Sequence, residues 1–191
     1  MGRSEIAHGA FRTPLPHQPG VRSVNPRFLN LDRANWQWLI DLPPGSRALD
    51  LGAGMGTNSH ALGMRCREVV ALEPVLERIR FMKQRFAQEG LSNVKPLRSS
   101  LWVLPFARES FDLVAMNGVL EWVPLGQPGN PRDAQLRALK NAFNLLRAGG
   151  HFYLGIENRM CLGYLIGYPD PHCGLPYVTA MPRPMAHWYA R

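Results

Sequence analysis

The sequence predicts an α/β domain: a doubly wound, mostly parallel sheet with helices on both faces. Three observations carry this. Short apolar runs alternate with segments of helical period. Gly-rich, Pro-Gly and Asn-Pro punctuation stands at the joints between them. The 191 residues are 46% hydrophobic and 19% charged. That suits one packed core and excludes a disordered, collagen-like or coiled-coil chain.

Residues 1–27 hold Pro14, Pro16, Pro19 and Pro26 among arginines. They read as an arm without a fold of its own. A first helix is expected over 30–42 (Leu31, Trp36, Trp38, Leu39), stopped by Pro43-Pro44-Gly45. Arg47–Leu51 is a buried strand that runs into Gly52-Ala53-Gly54-Met55-Gly56, followed by a helix over 57–65. Glu68–Glu73 is a second strand, and Pro74 suits the first position of the next helix. In that helix Val75, Ile79, Met82 and Phe86 form one apolar face, and Gly90 ends it.

Asn93–Leu97 and Phe111–Met116 are the third and fourth strands. Asn130-Pro131 reads as a cap and first turn. The helix it opens presents Leu136, Leu139, Phe143 and Leu146, is closed by Gly149-Gly150, and leads into a fifth strand, His151–Ile156. The predicted organisation is an arm (1–27), a core (28–157) and a Pro- and aromatic-rich segment (158–191). The last is expected to pack as an ordered loop rather than as a new layer.

The formal charge is +8, and only Lys83, Lys95 and Lys140 of the 22 basic residues are lysine. Such a charge raises a nucleic-acid partner. The arginines are scattered rather than striped, which disfavours it. Cys66, Cys161 and Cys173 make no CxxC pair; a disulfide framework and a structural zinc are disfavoured, and His172-Cys173 is too little for a metal site. No metal is therefore expected. No apolar run approaches the length of a membrane span, and no signal-peptide pattern opens the chain, so a cytoplasmic setting is expected. The oligomeric state is not legible.

The chemistry is carried by Asp50-Leu51-Gly52-Ala53-Gly54-Met55-Gly56 at the carboxyl end of the first strand. Glycines there let the backbone turn tightly and approach a ligand. Glu73 ends the next strand, where a carboxylate accepts both hydroxyl hydrogens of a ribose. A dinucleotide loop wants G-x-G-x-x-G; here the spacing is G-x-G-x-G, with Thr57 at the place of the third glycine. Asp50 would repel a pyrophosphate but suits a cationic, phosphate-free adenosyl cofactor.

With these residues the chain resembles the class I (Rossmann-like) S-adenosylmethionine-dependent methyltransferases. Asp50–Gly56 is similar to their E/D-x-G-x-G-x-G cofactor loop, and Glu73 to their acidic ribose ligand. Leu104-Pro105-Phe106 with Phe111-Asp112-Leu113-Val114 resembles the lead into their fourth strand. Leu146–Phe152 resembles their L-x-P-G-G approach to the fifth. The resemblance implies S-adenosyl-L-methionine held by Asp50, Gly52, Gly54, Gly56, Glu73, Ser100 and Asn117. Ser100 stands where the family often has an adenine-binding Asp, and Trp122 where many relatives have His. The family fold has seven strands; five are countable, so the chain is expected to lack the last two.

Methyl transfer needs alignment and water exclusion more than a catalytic triad. The acceptor-side candidates are Glu121, Glu157 and His172. A small molecule, lipid or saccharide is the expected acceptor. A non-catalytic binding module of the same fold and an NAD-dependent oxidoreductase are the alternatives.

Overall fold

A computed structural model describes residues 30–189; the predicted arm lies outside them. A 3-10 helix (Leu31–Leu39) is followed by β1 (Arg47–Leu51), α1 (Thr57–Gly63), β2 (Glu68–Glu73), α2 (Leu76–Gln88) and β3 (Val94–Arg98). Then come β4 (Phe111–Asn117), α3 (Pro131–Phe143), β5 (Leu146–Gly155), α4 (Leu162–Leu165) and α5 (Arg183–Tyr189). The strands form one sheet in the order β3-β2-β1-β4-β5, every pair parallel. Because β1, β2 and β3 step one way and β4 and β5 the other, the winding reverses between β1 and β4. Ligands of such sheets bind outside the carboxyl ends of the strands at that reversal.

Both faces of the central strands are covered, and β1, β2 and β4 are almost wholly buried, with apolar residues filling most of their positions. On one face Leu49, Leu51, Val114 and Met116 meet Ala134, Ala138 and Ala142 of α3. On the other, Ala48, Val69, Ala71 and Leu113 meet Leu62 of α1 and Ile79, Met82 and Phe86 of α2. At the amino ends Asp112 ties three strands together. It accepts from the Arg47 N–H at 2.7 Å and from Arg147 Nη1 at 2.9 Å. Burial pushes its carboxyl up, but these donors outweigh that and hold it below the ordinary range.

Several local expectations are corrected. The first helix is 3-10, so its buried positions recur every third residue. Ala34 and Gln37 face inward while Trp38 and Leu39 are exposed. Pro74 precedes α2 rather than opening it, and Val75 is the exposed cap. Asn130 caps α3 as expected, accepting from the Arg132 N–H at 2.9 Å. The helix, however, buries its alanines and leaves Leu136 and Phe143 exposed. A row of alanines lets the helix axis approach the sheet more closely than leucines do. Gly149-Gly150 does not end α3; it lies inside β5, near the irregular register opposite Phe111 and Leu113. Leu146 accordingly belongs to the strand.

The segment after β5 adds no layer. It holds two short helices and one antiparallel bridge, Pro169 with Pro176. No helix among the described residues is long and apolar enough to cross a membrane.

Candidate active site

The glycine loop joins β1 to α1 at the winding reversal. Gly52, Gly54 and Gly56 have φ of 72°, 57° and 79°, a left-handed conformation that L side chains rarely adopt. Each does a different job. A Cβ at Gly52 would sit 2.6 Å from Val119 Cγ2, and one at Gly56 2.6 Å from Phe86 Cζ. Those two glycines let the loop pack against β4's exit and α2. A Cβ at Gly54 would meet nothing within 4 Å. Gly54 thus bares its backbone to open space at the carboxyl end of the sheet, a cradle that a side chain would fill.

Glu73 holds the loop from β2. It is 2% exposed, and Oε2 accepts from the Gly54 N–H at 3.0 Å. Oε1 accepts from the Val75 N–H at 3.1 Å and from Arg78 Nη1 at 3.3 Å. A carboxylate offers about four lone-pair sites, so acceptor capacity remains beside Gly54. Asp50 lies beneath the loop instead of on it: 1% exposed, accepting from Ser59 Oγ at 2.6 Å. Burial raises its pKa to about 6; the Ser59 bonds oppose the rise and Glu73 adds to it. Its charge acts on the loop through the low-dielectric interior rather than by contact.

Ser100 follows β3, where Oγ accepts from the Trp102 N–H at 3.3 Å. Asn117 ends β4 and lies over Gly155, where no Cβ would fit. The Gly118 N–H donates to Gly155 O at 2.8 Å, fastening the exits of β4 and β5.

The three acceptor-side candidates come from separate loops, yet the fold gathers them. His172 Nε2 is 3.8 Å from Glu121 Oε1 and 4.0 Å from Glu157 Oε2. Trp122 packs on the imidazole with ring centroids 4.8 Å apart. Burial pushes the Glu121 carboxyl above its ordinary range; Glu157 beside it pushes the same way and His172 opposes. Arg159 does not pair with Glu157 but donates to Met181 O at 2.9 Å. The cluster adjoins the loop: Val119 packs on Gly52, and Glu121 Oε1 lies 3.6 Å from where a Gly118 Cβ would be.

Sequence reasoning missed Ser59, Arg78, Val119 and Arg85 as supports. Arg85 Nη1 donates to Met55 O at 3.2 Å while its Nε meets Glu89 at 3.1 Å. Their roles follow from tertiary contacts and carry no local pattern.

The comparisons agree with this geometry. The family model described as a methyltransferase domain matches residues 49–154, more than half of the chain. The ribosomal RNA small subunit methyltransferase G of Mycobacterium leprae is 32% identical over 109 residues, covering 52% of this chain and 43% of the relative. The 23S rRNA (uracil(1939)-C(5))-methyltransferase RlmD of Photobacterium angustum is 29% identical over 150 residues, covering 67% of this chain and 66% of the relative. The chain thus spans less than half the length of the first and about two thirds of the second. Among solved structures, phosphoethanolamine N-methyltransferase 1 of Haemonchus contortus, in complex with phosphoethanolamine and S-adenosylhomocysteine, has a TM-score of 0.56 at 23% identity. That match covers 66% of this chain and 25% of the other. The YcgJ protein of Bacillus subtilis has a TM-score of 0.54 at 18% identity, covering 64% and 49%. These two likenesses establish the fold. With the family match, the parallel sheet and the glycine loop in agreement, the chain belongs to the methyltransferase-domain family of class I S-adenosylmethionine-dependent methyltransferases.

Proposed function

We propose that the chain transfers the methyl group of S-adenosylmethionine to a small molecule, lipid or saccharide. The observation that carries the reading is the cradle: an open backbone at Gly54 beside the buried, loop-anchored carboxylate of Glu73. Asp50, Gly52, Gly54, Gly56, Glu73, Ser100 and Asn117 are the residues proposed to hold the cofactor. When bound, the cofactor supplies a sulfonium-activated methyl carbon. An acceptor lone pair would displace its sulfur, with S-adenosylhomocysteine as the leaving group. The chain's part is to align the two and to take up any acceptor proton at Glu121, Glu157 or His172. Partial burial and the neighbouring Glu157 both favour the protonated form of Glu121, while His172 opposes them.

A second acceptor class has its own support. Both curated relatives named above are ribosomal RNA methyltransferases, and the chain carries +8. Methyl-labelled cofactor offered with a metabolite and lipid extract, or with ribosomal RNA, separates the two. Label in the extract is expected; label confined to RNA would replace the first reading with the second. Calorimetry is expected to give binding of S-adenosylhomocysteine and none of NAD. The reverse result would sink the methyltransferase reading.

The loop makes a further contrast testable. Gly56→Ala places a Cβ against Phe86 and Met82 at positive φ, and is expected to cost about 2–4 kcal/mol of stability. Gly54→Ala carries only the backbone strain, about 1–2 kcal/mol. It is nonetheless expected to weaken S-adenosylhomocysteine binding at least tenfold by filling the cradle. Melting curves and calorimetry on both variants check this; wild-type affinity in Gly54→Ala would refute it.

A further inference from the structure

We propose that Glu121, Glu157 and His172 bind a divalent cation of the Mn2+ class beside the glycine loop. This deepens the methyltransferase reading and rests on it for the cation's role, though not for its binding: with a cation held, the three groups position an acceptor oxygen instead of taking up its proton. One donor atom from each residue lies within 4.8 Å of the others. The separations from His172 Nε2, 3.8 and 4.0 Å, are too long for hydrogen bonds. They match donors sharing one ion: ligands about 2.0–2.3 Å from a cation lie roughly 3–4.5 Å from each other.

Two further observations point to a ligand. Both Glu121 carboxylate oxygens are buried and meet no hydrogen-bond donor among the described residues. Glu121 is half-buried while Glu157 and His172 are exposed, so the site opens to solvent on their side. A carboxylate whose two oxygens are shielded without a donor is costly, and a cation between it and Glu157 offsets that cost. The second concerns the imidazole. Asp170 Oδ1 lies 3.4 Å from His172 Nδ1, and is itself fixed by the N–H groups of His172 and Cys173 at 2.8 and 3.0 Å. At 3.4 Å this is an ion-pair contact and not a hydrogen bond, so it places negative charge on the Nδ1 side of the ring and leaves Nε2 on the other. Nε2 is the nitrogen facing Glu121 and Glu157. Trp122 fixes the plane of the ring.

Two carboxylates and one imidazole form a mixed oxygen and nitrogen set, which suits Mn2+ better than Ca2+. Three protein donors leave the remaining octahedral positions for water and for an oxygen of the acceptor. The acceptor class this favours is one that presents a hydroxyl or carboxylate. A shared proton is the competing occupant, since two adjacent carboxyls also find relief by binding one.

Titration of the 191-residue chain with Mn2+ at neutral pH, followed by loss of the free-ion electron paramagnetic resonance signal, tests the proposal. One site per chain is expected. Glu121→Gln and His172→Gln are each expected to weaken it at least tenfold, and Asp170→Asn about tenfold. Asp133→Asn, on α3, leaves it unchanged. Melting curves and S-adenosylhomocysteine affinity report whether each variant folds, and His172→Gln carries the test if Glu121→Gln does not. No binding at millimolar Mn2+, or a site that survives both substitutions, overturns the proposal. S-adenosylhomocysteine binding without Mn2+ binding overturns the cation alone; Mn2+ binding without S-adenosylhomocysteine binding supports the cation and overturns the methyltransferase reading.

Discussion

Glu73→Ala is expected to weaken S-adenosylhomocysteine binding at least tenfold and to lower the melting temperature. Both effects trace to one carboxylate. At 2% exposure it receives the N–H groups of Gly54 and Val75, and hydrogen bonds to a charged acceptor contribute about 1.5–3 kcal/mol each. Removing it leaves the Gly54 and Val75 donors without this acceptor and releases the loop at the residue that faces the cradle. A ribose would lose its acceptor at the same time. Glu73→Gln separates the two effects. Its amide oxygen keeps one backbone donor, so the fold recovers in part, whereas replacing the other carboxylate oxygen by an amide nitrogen removes acceptor capacity and charge that a ribose hydroxyl would use. Calorimetry beside thermal melts reads each. Unchanged affinity in both variants would remove Glu73 from the site.

Asp50→Asn is expected to make the free protein more stable at neutral pH and the cofactor weaker-binding. The carboxyl titrates at about 6 in the folded chain against 3.8 as its ordinary value, burial being the main cause. Because the folded pKa is the higher one, the native state holds an extra proton between those two values. This group's contribution to stability is therefore largest below pH 3.8 and is lost as pH rises through about 6. Above that, ionised Asp50 costs on the order of 3 kcal/mol relative to its protonated form. Asparagine carries no charge and still accepts from Ser59 Oγ. Its advantage is expected at about pH 7.5 and to vanish near pH 4, read as the difference in urea midpoints between variant and wild type. An equal gain at both pH values would show that titration is not the cause. Cofactor affinity falls because the substitution removes the only acidic charge within the loop motif, which favours a sulfonium and an ammonium nearby.

The sheet was legible because its strands are local runs, and the central three, β1, β2 and β4, are almost wholly buried. β1 and β2 run from Arg47 to Leu51 and from Glu68 to Glu73 as their apolar runs foretell, and β3 and β4 shift by about a residue. The errors have physical sources. The apolar residues of Leu31–Leu39 suggest a helix, but its three residues per turn bury Ala34 and Gln37 instead of Trp38 and Leu39. On α3 hydrophobicity points to the larger side chains, but close packing on the sheet buries Ala134, Ala138 and Ala142. The positive φ of Gly149 suits an irregularity within β5 as well as a helix end. In the candidate site, the loop and Glu73 stood out because their residues are contiguous or end successive strands. Glu121, Glu157 and His172 could be named one at a time. Their convergence could not, since it depends on how three loops fold back over the carboxyl end of the sheet.

The two rims of that sheet behave differently towards an incoming strand. At one, β3 carries Pro96 with Lys95 and Arg98 beside it, so a backbone donor is missing and the charges discourage pairing. At the other, β5 runs for ten residues without proline, and no strand among the described residues pairs with its outer side. Any additional strand, from this chain or another, therefore has one direction of growth open to it. A strand added there would leave the crevice between β1 and β4 undisturbed.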